Sequence, residues 1–312
     1  MKEHKGANAF KSDHHTVITI GTFDGVHAGH QKIIERLVAT AKVSQLESAI
    51  LTFFPHPRMV LQEDSDIKLI NTIEERKQLL EKSGVDHLII HPFTHQFSRL
   101  TALEFVRDIL VNKLKAKKVI IGYDHRFGRN RTADIDTLKD FGVQFGFEVE
   151  EISQQEVEEV AVSSTKIRKA LLDGRVEKAN NYLQHPFTLT GTIVPGRGLG
   201  KDFGYPTANL KIEEDYKLIP KIGVYVVRAM IDDIPYFGMM SIGTNPTVGG
   251  KEMSIETYFF LLNKDLYGKK LQIELLTRIR DEKKFDSVDA LKIAMKQDEA
   301  FSERYIRDNY AE

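Results

Sequence analysis

The chain has 312 residues, 41% hydrophobic and 29% charged, the balance of an ordinary globular protein long enough for two domains. Lysine plus arginine total 44 against 45 for aspartate plus glutamate, so no basic excess argues for nucleic acid. No apolar run approaches membrane length, the polar start MKEHKGANAFKSDHH is no signal peptide, and the lack of cysteine excludes disulfides.

Val17 to Ile20 (VITI) reads as a short buried strand, and Gln31 to Ala41 as a helix with Ile33, Ile34, Leu37, Val38 and Ala41 at helical spacing. Between them lies Gly21 to His30, GTFDGVHAGH. A helix start offers unpaired N–H groups and partial positive charge, a natural seat for phosphate. His27 and His30, three apart, are expected on one face of the first turn, both turned toward that seat. The glycines let backbone approach a ligand closely. A zinc reading is weaker, since H-x-x-H lacks the i, i+4 spacing and no cysteine completes a site.

Ser48 to Phe53 is a second strand, followed by Pro55-His56-Pro57-Arg58, read as an extended loop at a strand's carboxyl end. His56 and Arg58 gain interest because ligands of open α/β sheets bind at that edge. Helices follow at 73–83 and 102–113, strands at 85–91 and 118–122, and a further strand at 147–152. This alternation predicts a parallel, doubly wound sheet. After the 118–122 strand, Tyr123 to Arg131 (YDHRFGRNR) is either a solvated basic loop or a seat for a flat, phosphorylated ligand. Val162 to Arg168 (VSSTKIR) opens another helix with cations, Lys166 and Arg168, where acids are usual, as if an anion sat between them.

From Leu189 the rhythm changes to short strands and glycine turns, indicating a small antiparallel barrel followed by a long helix over 286–308. The domain boundary is expected near His185–Phe187, giving domains 1–186 and 187–312. Within the second lies Gly196 to Asn209, GRGLGKDFGYPTAN. Its glycines suit a loop folding over phosphates, and Thr207 and Asn209 offer hard oxygens for Mg²⁺ and phosphate. Glu256, opening IETYFF, is either an outward-facing surface acid or a general base in a cleft.

G-x-F-D-G-x-H-x-G-H, F-x-P-H-P-R, Y-D-x-R-F-G, S-S-T-K-I-R, G-Y-P-T-A-N, I-G-T-N-P-T and the E-T strand resemble, in order, the motifs of prokaryotic bifunctional riboflavin kinase/FAD synthetases. The resemblance implies an N-terminal doubly wound FMN adenylyltransferase and a C-terminal riboflavin kinase barrel. It implies that His27, His30, Ser164, Lys166 and Arg168 hold ATP phosphates in the first, with Gly21, Phe23, Asp24, Gly25, Gly29, Ser163 and Thr165 as further ATP contacts. Asp124, Arg126 and Phe127, with His125, His56, Pro57 and Arg58, would line the flavin side. In the kinase, Thr207 and Asn209 would hold ATP with Mg²⁺, Gly200 and Lys201 would touch ATP, Glu256 would be the base, and Arg280 would lie near the flavin. Departures from the pattern are His125 for Phe, Ala133 for Gly, Lys201 for Arg, and Gln184-His185 for Gly-Arg. Riboflavin, FMN, FAD and ATP are the expected partners, and the cytoplasm the expected location.

Overall fold

The computed structural model describes residues 1–310 except 63–65, 124, 154–161, 197–203 and 248–249. They form two compact units, Met1–Ser164 and Thr165–Glu312.

The first unit is built on a parallel sheet of β1 (Lys2–Lys5), β2 (Thr16–Ile20), β3 (Glu47–Phe53), β4 (His87–His91), β5 (Ala116–Gly122) and β6 (Glu148–Ile152), in the order β1-β4-β3-β2-β5-β6. Side chains that alternate along a strand go to opposite faces, and both faces are covered. Val17, Ile50, Leu88 and Ile120 pack with Ile34 and Leu37 of α1 (Ala28–Ser44) and Leu80 of α3 (Ile73–Glu81). Ile18, Leu51, Ile89 and Ile121 pack instead with Phe105, Ile109 and Leu110, and with Leu138 of a helix over Ile135–Phe145. Sequence order reverses at β2, whose neighbours are β3 and β5, so its carboxyl end is the switch point at which such sheets bind ligands.

Three features differ from the sequence reading. β1 adds a parallel edge strand where the sequence is polar, and His4 is its buried residue. Pro55-His56-Pro57-Arg58 is not extended throughout: His56 caps a short helix α2 (Pro57–Leu61), the fixed φ of Pro57 suiting the first helical position. The 102–113 helix begins as α-helix at Ala102–Glu104 and winds as π-helix over Phe105–Val111.

In the second unit, helices Ser164–Leu172 (which begins at the last residue of the first) and Val176–Leu183 precede a closed six-stranded barrel. Its strands are β7 (Phe187–Val194), β8 (Ala208–Lys211), β9 (Gly223–Ile231), β10 (Ile234–Thr247), β11 (Gly250–Phe259) and β12 (Lys270–Arg280), ordered β10-β11-β8-β7-β12-β9. The division between the units lies upstream of residue 187 because the second of these helices belongs with the barrel. Its Asn180 donates to the Leu275 carbonyl of β12 (2.9 Å) and accepts from Phe187 N–H (2.8 Å). The terminal helix, Val288–Tyr310, docks through polar residues: Asp298 and Ser302 are its buried side chains, while Val288 and Ile293 are exposed. No helix among the described residues is long and apolar enough to cross a membrane.

Candidate functional site

The turn from β2 into α1 is strained. Phe23 and Val26 have φ of +48° and +41°, and Gly25 +91°. A β-branched residue such as valine is a rare occupant of that region. Burial holds the strain in place, since Phe23 and Val26 are each only 2% exposed and belong to the α1-side core. Hydrogen bonds fix the rest: Gln31 Nε2 donates to the Val26 carbonyl (3.0 Å), Thr52 Oγ1 to the Thr22 carbonyl (3.1 Å), and Ser164 Oγ to the Asp24 carbonyl (2.9 Å). The Asp24 carboxylate accepts the backbone N–H groups of Ile70 (3.1 Å) and Asn71 (3.2 Å) and forms a buried ion pair with Arg76 at 3.7 Å. Its side chain is thus committed to the loop's own support.

His27 is the N-cap of α1, not part of its first turn, and its Nδ1 accepts His30 N–H at 3.4 Å. The two imidazoles stack, with centroids 3.6 Å apart and planes at 15°. Burial, then the neighbouring His27, then Arg76 hold the His30 pKa well below its ordinary value, so His30 is neutral at pH 7. Its Nδ1 is buried with no hydrogen-bond partner. A strained turn, the start of a 17-residue helix and an orphaned imidazole nitrogen meet at the switch point, an arrangement suited to receiving an anion.

The neighbouring sheet-edge loops carry the other expected residues of this unit. His56 Nδ1 accepts Arg58 N–H (3.1 Å), and Arg58 is exposed in the first turn of α2, beyond β3. Beyond β5, His125 stacks on Phe127 at 6.1 Å, Phe127 is buried, and an antiparallel bridge joins it to Ala133. Arg126 pairs with Asp134 (2.8 Å). Bonds from Thr137 and that arginine hold the Asp134 carboxyl down to about 2. Asp124, Gly200 and Lys201 lie outside the described residues. Ser163 and Ser164 end the first unit; Thr165, Lys166 and Arg168 follow on the helix that Ser164 opens.

In the barrel, β11 buries Ile255, Thr257 and Phe259 and turns Glu256 and Tyr258 to the opposite face, where both are half-buried. Glu256 pairs across the ladder with Asn209 of β8, and Thr207 Oγ1 donates to Glu256 Oε2 at 3.0 Å. A Cβ on Gly196 would fall on the Asn209 carboxamide, so only glycine leaves that side chain its place. Tyr205 stacks edge-on against Tyr258 (5.0 Å) and donates to Glu299 of the terminal helix (2.8 Å); burial above all pushes its pKa up to about 12. Next on that helix, Asp298 accepts from Arg280 Nε (2.9 Å) and Nη2 (2.7 Å), a two-pronged ion pair. The sequence pattern therefore brings Thr207, Asn209 and Glu256 together, while Arg280 is tied to the helix.

Sequence reasoning missed Arg76, Thr52, Tyr205, Asp298 and Glu299. Only Arg76 left a usable sign: it stands four residues before Leu80, on the buried stripe of its helix, where a charge demands a partner.

The family model for FAD synthetase matches residues 9–166, and that for riboflavin kinase matches residues 183–306. A bifunctional riboflavin kinase/FMN adenylyltransferase of Listeria monocytogenes is 36% identical over 92% of this chain and 91% of its own length. One from Escherichia coli K12 is 34% identical over 91% and 90%. A crystal structure from Streptococcus pneumoniae, described as a macrolide-efflux protein, superposes with a TM-score of 0.88 at 34% identity, covering 97% of this chain and 98% of that one.

Proposed function

Because the chain belongs to the bifunctional riboflavin kinase/FMN adenylyltransferase family and so makes FAD from riboflavin, we propose that its residues divide between the two reactions as follows. The first compact unit carries the adenylyltransferase and the unit with the barrel the kinase.

In the first reaction a phosphate oxygen of FMN attacks the α-phosphorus of ATP, the bond to the bridging oxygen breaks, and pyrophosphate leaves. The nucleophile is already anionic, so no protein base is needed. The turn over Gly21–His30, its helix start and the His27–His30 pair take the triphosphate. Ser163 and Ser164, at the end of the same unit, add donors to the same phosphates. Alignment and charge stabilisation are the means of catalysis. The flavin lies toward His56–Arg58 and the His125–Phe127 loop.

In the second reaction the nucleophile is an alcohol, which must lose its proton as the γ-phosphoryl group arrives. Glu256 takes that proton. What supports this assignment is the Thr207–Glu256 hydrogen bond beside Asn209, which gathers a base and two hard-oxygen ligands at one place on the barrel. This donor set, hard oxygens without sulfur or imidazole, would suit a Mg²⁺ ion accompanying ATP. When bound, the ion neutralises phosphate charge. Thr207 and Asn209 would hold it; Thr207 also orients the base. Cytoplasmic ATP would supply both reactions.

Incubating the purified chain with riboflavin and Mg-ATP, then separating the flavins, tests the whole reading. FMN should appear first and FAD after it. Persistence of riboflavin removes the kinase assignment, and accumulation of FMN alone removes the adenylyltransferase.

A further inference from the structure

Arg76 is 1% exposed, on a helix whose N-terminus is fixed by a capping box between Thr72 and Glu75. Burying a guanidinium costs several kcal/mol unless its partners are well placed, so a buried arginine calls for a reason. Its partners supply one. Nη2 faces the Asp24 carboxylate at 3.7 Å, and Nη1 donates to Thr52 Oγ1 at 3.5 Å. Thr52 in turn donates to the Thr22 carbonyl. One arm of the planar group thus faces Asp24 across an ion-pair distance, and the other reaches Thr52, which bonds residue 22, so the two bear on either side of Phe23, whose φ is +48°.

We propose that Arg76 is the positioning residue of the adenylyltransferase's phosphate loop, gripping Thr22 through Thr52 and Asp24 directly, and so holding the strained turn in register with His27 and His30. The proposal rests on the reading of that turn as the ATP phosphate seat. A fork is required because the two anchor points lie apart and the group must be rigid between them. Lysine, with a single flexible ammonium, keeps the charge and can serve one arm at a time. A plain core ion pair would also bury Arg76 and Asp24, but it would give no reason for the second arm to reach the same loop.

The test uses the full chain with Arg76→Lys and, as a milder change that cuts only the Thr22 arm, Thr52→Val. FMN adenylylation is measured as kcat and KM for ATP separately, riboflavin phosphorylation on the same samples reports on the barrel unit, and urea unfolding of the full chain followed by circular dichroism reports that the first unit is folded. Misplacing transition-state donors should lower adenylylation kcat about tenfold or more in both variants, with KM for ATP within about threefold. Riboflavin phosphorylation should stay at the parent level. Retention of kcat within about twofold overturns the proposal, as does a loss confined to KM for ATP or a parallel loss of both activities. If Arg76→Lys fails to fold, Thr52→Val alone decides. His30→Ala separates this proposal from the reading beneath it: if that variant also keeps adenylylation, the phosphate-seat reading itself falls, whereas a collapse with His30→Ala alone sinks only the role of Arg76.

Discussion

His91 makes folding acid-sensitive by a calculable amount. It ends β4, is 9% exposed, packs against the Phe97 ring at 4.5 Å and accepts Ala7 N–H on Nδ1 at 3.0 Å. A protonated ring would set one N–H against another. Burial, aided by the charge of Lys113, pushes the His91 pKa down from 6.5 to about 4. The unfolded chain therefore binds a proton at this residue near pH 6.5, while the folded chain refuses it until about pH 4. Between those values the unfolded state holds more protons, so stability is full above pH 6.5 and falls as pH drops toward 4. That gap is worth about 3 kcal/mol, lost progressively across the window. Burial also lowers His4 and His30, which act in the same direction. Urea unfolding of the full chain at successive pH values from 8 to 4.5 should show this decline, and His91→Asn, whose amide oxygen can accept the Ala7 N–H without titrating, should flatten it by about 2–3 kcal/mol. An unchanged slope in His91→Asn, or stability that rises on acidification, refutes the reasoning.

His30→Ala should lower FAD formation from FMN by roughly tenfold to a thousandfold, the range for loss of one transition-state donor, and leave riboflavin phosphorylation intact; parallel assays of both reactions check it. Glu256→Gln keeps the Thr207 contact but cannot take a proton, so FMN formation should fall roughly a hundredfold or more while FAD formation from supplied FMN continues. Normal riboflavin phosphorylation in that variant would return Glu256 to the role of a surface acid. Gly196→Ala drives a methyl group onto Asn209, and should reduce kinase turnover about a hundredfold without touching adenylylation; flavin separation by chromatography reads both.

Much of this was legible in the chain because periodicity and punctuation coincide. VITI before G-T-F-D-G-V-H-A-G-H, and an amphipathic helix after it, specify a strand, a turn and a helix start with little freedom. The barrel strands alternate clearly, as in Phe187–Val194. What escaped has physical causes. β1 is four residues long with charges on every side but one, so its pairing to β4 leaves almost no hydrophobic trace. The terminal helix reads as apolar at Val288 and Ile293, yet it docks by Asp298 and Glu299, since its partners are Arg280 and Tyr205. The stacking of His27 on His30 likewise follows from His27 serving as a cap, a backbone detail that residue spacing does not encode.

β1 has one more consequence. It lies along the outer side of β4, whose Leu88 and Ile89 are fully buried and whose free backbone would otherwise form an open, apolar margin. Such margins recruit strands from other molecules and seed aggregation. β1 closes this one with a short strand carrying Lys2, Glu3 and Lys5 outward, residues that discourage further pairing. Its hold depends on His4 and His87, hydrogen-bonded to each other at 3.0 Å, and on the Ala7–His91 bond. The first few residues thus act as a colloidal guard, covering a margin that would otherwise lie open to strands of other molecules.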